Sequence, residues 1–109
     1  SFTPVLDGRV RNVEIGLLFD PSRGGEKSLC ERWRKAMLRD ADSAGMRVKM
    51  NLPYRGTSDG HTTALRGEFP ASRYLGIEVE VKNALIVNAR GQERIGVMLA
   101  RTLRVALGK

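Results

Sequence analysis

The segment Tyr74-Leu75-Gly76-Ile77-Glu78-Val79-Glu80-Val81 constrains this chain more than any other. Apolar and acidic residues alternate with period two, and β-branched side chains hold the apolar positions, which is the pattern of a strand. Ile77, Val79 and Val81 point one way. Glu78 and Glu80 point the other, about 6.6 Å apart along the strand at roughly 3.3 Å per residue. Gly76 shares their face and leaves room beside them. A sheet covered on both sides must pair, hydrogen-bond, bind to metal or shift the pKa of two such carboxylates. A sheet open on that side would solvate them, with Lys82 at hand as a partner.

The rest of the chain switches between two periods. Val13–Phe19 is mostly apolar at its end, which suits a central strand, and Pro21, Ser22, Gly24 and Gly25 form the loop after it. Glu26–Ala44 predicts an amphipathic helix with Leu29, Trp33, Ala36, Met37 and Ala44 as its apolar stripe, and Gly45 as the residue that stops it. Arg47–Asn51 predicts a second strand. Thr62–Phe69 reads as a short helix with Ala64, Leu65 and Phe69 on its apolar face, ended by Pro70. Gln92–Leu107 is the clearest helix, with Ile95, Met98, Leu99, Thr102, Leu103 and Ala106 at helical spacing and Gly108 closing it. Strands alternating with helices predict an α/β layered domain with a mainly parallel sheet.

With 109 residues the chain makes one domain at most. No apolar run approaches the roughly 18 residues of a membrane span, and no signal-peptide or lipidation pattern is visible. The single cysteine, Cys30, cannot close an internal disulfide and fits a reducing cytoplasm; it lies beside the apolar stripe, where packing is its expected duty. The net charge of +7 invites a nucleic-acid reading. The 19 Lys and Arg are spread along the chain, however, and aromatics at 6% are too sparse for a base-stacking surface. Nucleic acid is therefore disfavoured, and a basic site for a small anionic molecule suits the charge as well.

No self-contained catalytic or metal motif is present: no H-E-x-x-H, C-x-x-C, G-x-S-x-G or G-x-x-x-x-G-K-[ST]. One histidine and one cysteine cannot build an all-protein zinc site without ligands from elsewhere. The segment Asn51–His61 is rich in turn formers and polar residues and holds the only histidine. A polar loop after a strand is where an α/β protein places its ligands. A plain surface loop with a solvated His61 is the other reading.

Four blocks carry a resemblance: Ser1-Phe2-Thr3-Pro4-Val5-Leu6-Asp7-Gly8-Arg9, Asn51-Leu52-Pro53-Tyr54-Arg55-Gly56, Asp59-Gly60-His61-Thr62 and Gly76-Ile77-Glu78-Val79-Glu80-Val81. In this order they resemble the second half of the N-formylglutamate amidohydrolase family, itself similar to zinc carboxypeptidases and aspartoacylases. The resemblance implies a three-layer α/β/α hydrolase fold, of which residues 1–109 form a single unit, the C-terminal half. It implies a divalent metal, zinc, whose ligands fall before Ser1, none of them in this chain, so that activity needs the N-terminal part of the protein. One sheet edge or face near Ser1–Leu6 is accordingly expected to look unfinished.

Glu80-Val81-Lys82-Asn83 matches the pattern around the catalytic glutamate of zinc carboxypeptidases, which implies Glu80 as the proton shuttle and Glu78 as its supporting neighbour. Ser1, Asn51, Tyr54, Arg55 and His61 are the implied substrate-binding or supporting residues. The implied reaction is hydrolysis of a formyl or acyl amide of a small anionic amino acid. Arginine binds carboxylates through paired donors, and Arg9, Arg11, Arg55 and Arg66 lie nearest the four blocks. His61 would orient substrate or assist proton transfer. A basic nucleic-acid-binding module and a non-catalytic relative are the alternatives; a homo-oligomer is compatible with each.

Overall fold

A computed structural model describes Phe2, the backbone of Val5–Leu6 and Arg9–Val10, and residues 12–58 and 60–109. Ser1, Arg11, Asp59 and the Asp7-Gly8 turn lie outside the described residues. β1 (Val5–Leu6) and β2 (Arg9–Val10) form a short antiparallel pair. The main sheet has β3 (Ile15–Leu18) at its centre, β4 (Val48–Met50) parallel on one side and β5 (Glu78–Val81) antiparallel on the other. Phe2 is buried along the outer edge of β5, donating its N–H to the Val81 carbonyl at 2.9 Å and accepting from the Asn83 N–H at 2.7 Å. α1 (Gly24–Arg39) joins β3 to β4, α2 (Gly60–Glu68) lies between β4 and β5, and α3 (Ala89–Ala106) ends the chain.

The core forms where the two periods agree. Ile15, Leu17 and Phe19 share one face of β3. They pack with Val48 and Val81, and with Leu29, Trp33 and Met37 of α1 and Ile95, Met98 and Ala106 of α3. Trp33 Nε1 donates to Thr102 Oγ1 at 2.9 Å, so the indole N–H that must be buried with its ring is satisfied across the α1–α3 seam. Cys30 is buried in the same core, and desolvation there, helped by the charge of Glu26, pushes its thiol up to about 12. It is a packing residue. No helix among the described residues is long and apolar enough to cross a membrane.

The predicted three-layer α/β/α architecture with a mainly parallel sheet is not what forms. The sheet is mixed, and both long helices cover the same face of it. The cause is α2. A crossover helix needs an apolar stripe to lie on the sheet, but Ala64 and Phe69 are exposed and only Thr62 of α2 is buried. α2 instead stays at the carboxyl end of β3, beside the 3₁₀ turn Gly56–Ser58 and tied by Arg66 to Glu26 at the start of α1. The chain thus enters β5 from that same end and must run antiparallel to β3.

Two helix boundaries also move. α1 ends at Arg39 rather than Ala44 because Asp40 is extended (ψ 134°), and its side chain accepts from the Asp42 N–H to start a new 3₁₀ turn. α3 begins three residues before Gln92 because the Asn88 side chain caps it, accepting from the Gly91 N–H at 2.8 Å.

Candidate active site

The antiparallel register decides what stands beside the two glutamates. Glu80 pairs with Gly16 and Glu78 with Leu18, so these four share the face opposite the core. Gly16 has no side chain to offer there, and the segment after β4 uses the space. A methyl group at Gly16 would meet the Leu52 carbonyl oxygen at 1.9 Å. The loop is therefore seated directly on the sheet.

Asn51 seats it. It adopts positive φ (54°), a conformation asparagine tolerates better than most residues. Its Oδ1 accepts from the Phe19 N–H and from the Gly56 N–H, each at 3.0 Å. Gly56 is required for that approach, since a methyl group there would fall 2.1 Å from the Phe19 nitrogen. The block Asn51–Gly56 is thus a folded strap whose ends are pinned and whose middle presents Tyr54 and Arg55.

Tyr54, Arg55 and Ser58 form one wall of a cleft of about 290 Å³, and Leu18, Glu78 and Glu80 form the other. Arg55 also borders an adjoining hollow of about 360 Å³ lined by Phe19, Pro21, Asn51 and Thr57. Both glutamates are half-buried, and Glu80 Oε2 is shielded from solvent. The Thr62 hydroxyl donates to Glu78 Oε1 at 3.1 Å and sets that carboxylate. Arg55 and the far rim are exposed, so an anionic molecule has both access and a cation to meet.

Four predicted residues, Glu80, Glu78, Tyr54 and Arg55, therefore meet in one cleft. Asn51 shapes the wall from below and lines the adjoining hollow. His61 is exposed in the first turn of α2, apart from the residues lining the cleft. Ser1 and Arg11 lie outside the described residues, as does the side chain of Arg9.

Arg66 is no substrate ligand: its side chain is 7% exposed and binds Glu26, which is fully buried. Burial pushes the Glu26 carboxyl up, but the Arg66 hydrogen bonds and the backbone N–H groups of Asp20 and Gly76 outweigh it and hold it below its ordinary value. Leu18, Ser58 and Thr62 were not among the predicted site residues. Register supplies Leu18 and chain return supplies Thr62, and neither is a local signal.

Among the described residues no group of three or more His, Cys, Asp or Glu could hold a metal ion. The donor set of the cleft, two carboxylates on one strand, does not by itself fit the zinc that the sequence resemblance implies.

No protein-family model matches this sequence, and no curated protein matches it. Among solved structures, the chain is similar to the crystal structure of gene product Atu2144 from Agrobacterium tumefaciens, with 36% identity and a TM-score of 0.69. The match covers 98% of this chain and 39% of that one. What the two share is the fold of a small α/β domain with a mixed three-stranded sheet. This chain spans well under half the length of that protein.

Proposed function

We propose that this chain supplies the proton-transfer and substrate-orienting part of an amidohydrolase acting on a linear formyl or acyl amide of a small anionic amino acid, with N-formyl-L-glutamate as the reference substrate. The observation that carries it is the meeting of Glu78 and Glu80 with Tyr54 and Arg55 across one cleft. The four sequence blocks that resemble the N-formylglutamate amidohydrolase family support it.

In this reading Arg55 receives a substrate carboxylate. Glu80 takes a proton from the water that attacks the amide carbon. As the C–N bond breaks, Glu80 returns that proton to the leaving nitrogen, giving formate or another carboxylate and a free amine. Glu78, set by Thr62, keeps the acidic wall in place. The zinc that the sequence resemblance implies would polarise the carbonyl and acidify the water, but the described residues hold no ligand set for it, and the chemistry assigned to these residues is the proton transfer alone. A cytoplasmic setting suits the single buried thiol.

The basic balance weighs little for nucleic acid. Arg23, Arg32, Arg34, Arg47, Arg66 and Arg101 all direct guanidinium donors to carbonyls or carboxylates of this same chain.

The test is formate release from N-formyl-L-glutamate, and amine release from other acyl amino acids, by the full-length natural polypeptide with and without added Zn²⁺. Turnover is expected, and Glu80→Gln should lower it at least about 100-fold, the low end for general acid–base catalysis. Absence of hydrolysis of every such amide, or a Glu80→Gln variant with normal turnover, overturns the reading.

A further inference from the structure

We infer that the buried Arg66–Glu26 pair is the positioning device of the cleft, holding its two walls at a set spacing. The kinetic part of this inference rests on the proposed hydrolase reading; the structural part does not.

The two walls come from different stretches of chain. Tyr54, Arg55 and Ser58 sit on the strap after β4, whereas Glu78 and Glu80 sit on β5. Asn51 fastens the strap to the end of β3 but makes no bond to β5. Both walls are joined through β3, and Arg66 ties the strap directly to the stretch that enters β5. Its Nη1 donates to the Gly56 carbonyl at 3.1 Å, one residue from Arg55. Its Nη2 donates to the Gly76 carbonyl at 2.6 Å, two residues from Glu78.

Glu26 completes the frame. Oε2 accepts from the Gly76 N–H and Oε1 from the Asp20 N–H, each at 2.9 Å. Both oxygens also accept from Arg66, at 2.9–3.2 Å. One buried ion pair thereby ties the strap, the entry to β5, the exit from β3 and the first turn of α1. Thr62 lies one helical turn before Arg66 on the same side of α2 and binds Glu78, so a single short helix holds Glu78 directly and both walls through Arg66.

The chemistry of the side chain explains why arginine stands here. Its planar fork reaches a carboxylate and two carbonyls from three separate nitrogens, whereas a lysine ammonium directs its three donors from a single point. A fixed spacing matters because binding sits on one wall and proton transfer on the other. A misplacement of about 1 Å between them can cost on the order of 100-fold in rate.

The test replaces Arg66 by Lys in the full-length polypeptide, at a temperature where the variant is fully folded. Amide hydrogen exchange should quicken at residues 54–58 and 74–78 while β3, α1 and α3 keep wild-type protection. Against the amide substrate, kcat should fall about tenfold or more with KM within about threefold, because Arg55 still binds but the carbonyl no longer faces Glu80. Uniform loss of protection over the whole chain, or unchanged kcat in a folded variant, overturns the inference.

Should Arg66→Lys fail to fold, the double variant Glu26→Met with Arg66→Met keeps the buried volume without the charges. Local loss of protection at 54–58 and 74–78 supports the clamp, and wild-type protection there overturns it. If the natural polypeptide hydrolyses no amide, the functional reading falls, and the exchange pattern alone decides the clamp.

Discussion

Glu26 binds the chain just before β5, whereas Glu78 and Glu80 sit on β5 itself, and the protein surrounds these carboxylates in opposite ways. Glu26 is fully buried and receives donors from Arg66, Asp20 and Gly76. Glu78 and Glu80 are half-buried and border an open cleft of about 290 Å³. A carboxylate surrounded by fixed donors is held ionised by the protein and has nowhere to move a proton. A carboxylate on the wall of a cleft can take a proton from a molecule that enters and give it back. The difference in surroundings separates an enclosed carboxylate from an accessible one, which acidity and sequence spacing do not. Arg66 and Arg55 repeat the contrast among the cations, the first enclosed and the second open.

The strongest way to break this comparison is Glu26→Ala. It leaves the Arg66 guanidinium buried without its counter-ion, and losing one partner of such a pair costs about 3–5 kcal/mol. Urea unfolding of the variant should show that loss; a change below about 1 kcal/mol would mean the cluster is not the scaffold described here.

The pH dependence sharpens the same point. Folding lowers the Glu26 carboxyl below its ordinary value of 4.5, so near and below that pH the unfolded chain binds the extra proton. The stabilisation is present above about pH 4.5 and is lost as pH falls through the lower folded-state value. Urea midpoints between pH 3 and 7 should fall on the acid side, and the slope should be shallower in Glu26→Gln. Glu14, held low by Arg47, and Asp40, held low by Arg101, are exposed pairs that add to the acid slope but do not depend on residue 26.

Glu80→Gln should invert the pattern of Glu26. Turnover of the natural polypeptide should drop at least about 100-fold, while the unfolding free energy from urea titration stays within about 0.5 kcal/mol of wild type, because glutamine keeps the size and hydrogen-bonding capacity of the side chain. A large loss of stability without loss of turnover would place Glu80 with the scaffold.

Gly56→Ala probes the strap. The added methyl group would meet the Phe19 backbone at 2.1–2.5 Å, and forcing atoms into packed space costs about 1–3 kcal/mol. Thermal unfolding should register it. An alanine tolerated at no cost would show that the strap is not seated on the sheet.

Thr62→Val should have the smallest effect. It removes the hydroxyl that binds Glu78 at 3.1 Å, a bond worth about 1 kcal/mol, or roughly fivefold if all of it is felt in kcat/KM. Steady-state kinetics should find a decrease of that order with the fold intact. A loss as large as that of Glu80→Gln would move Glu78 to the centre of the chemistry.

Much of this was legible locally. The alternation through Ile77, Glu78, Val79, Glu80 and Val81 put both carboxylates on one face, and the structure has them there, opposite Leu18 and Gly16. The stripe Leu29, Trp33 and Met37 did become the core side of α1. Extended one turn back, that stripe falls on Glu26, an acidic residue on an apolar face, which is the one local sign that it would be buried. Nothing local distinguished Arg66, which is separated by 40 residues from Glu26, from the arginine that stayed in the open.

By itself the sequence determined which side of each strand and long helix is apolar, because periods of two and 3.6 are properties of a few adjacent residues. It did not determine the direction of β5, the shared face of α1 and α3, or the pairing of Arg66 with Glu26. Those follow from the path of the chain through α2, a helix with too little apolar surface to lie on the sheet. The energies that choose such a path come from residues far apart in sequence, and they exist only once the tertiary structure has brought those residues together.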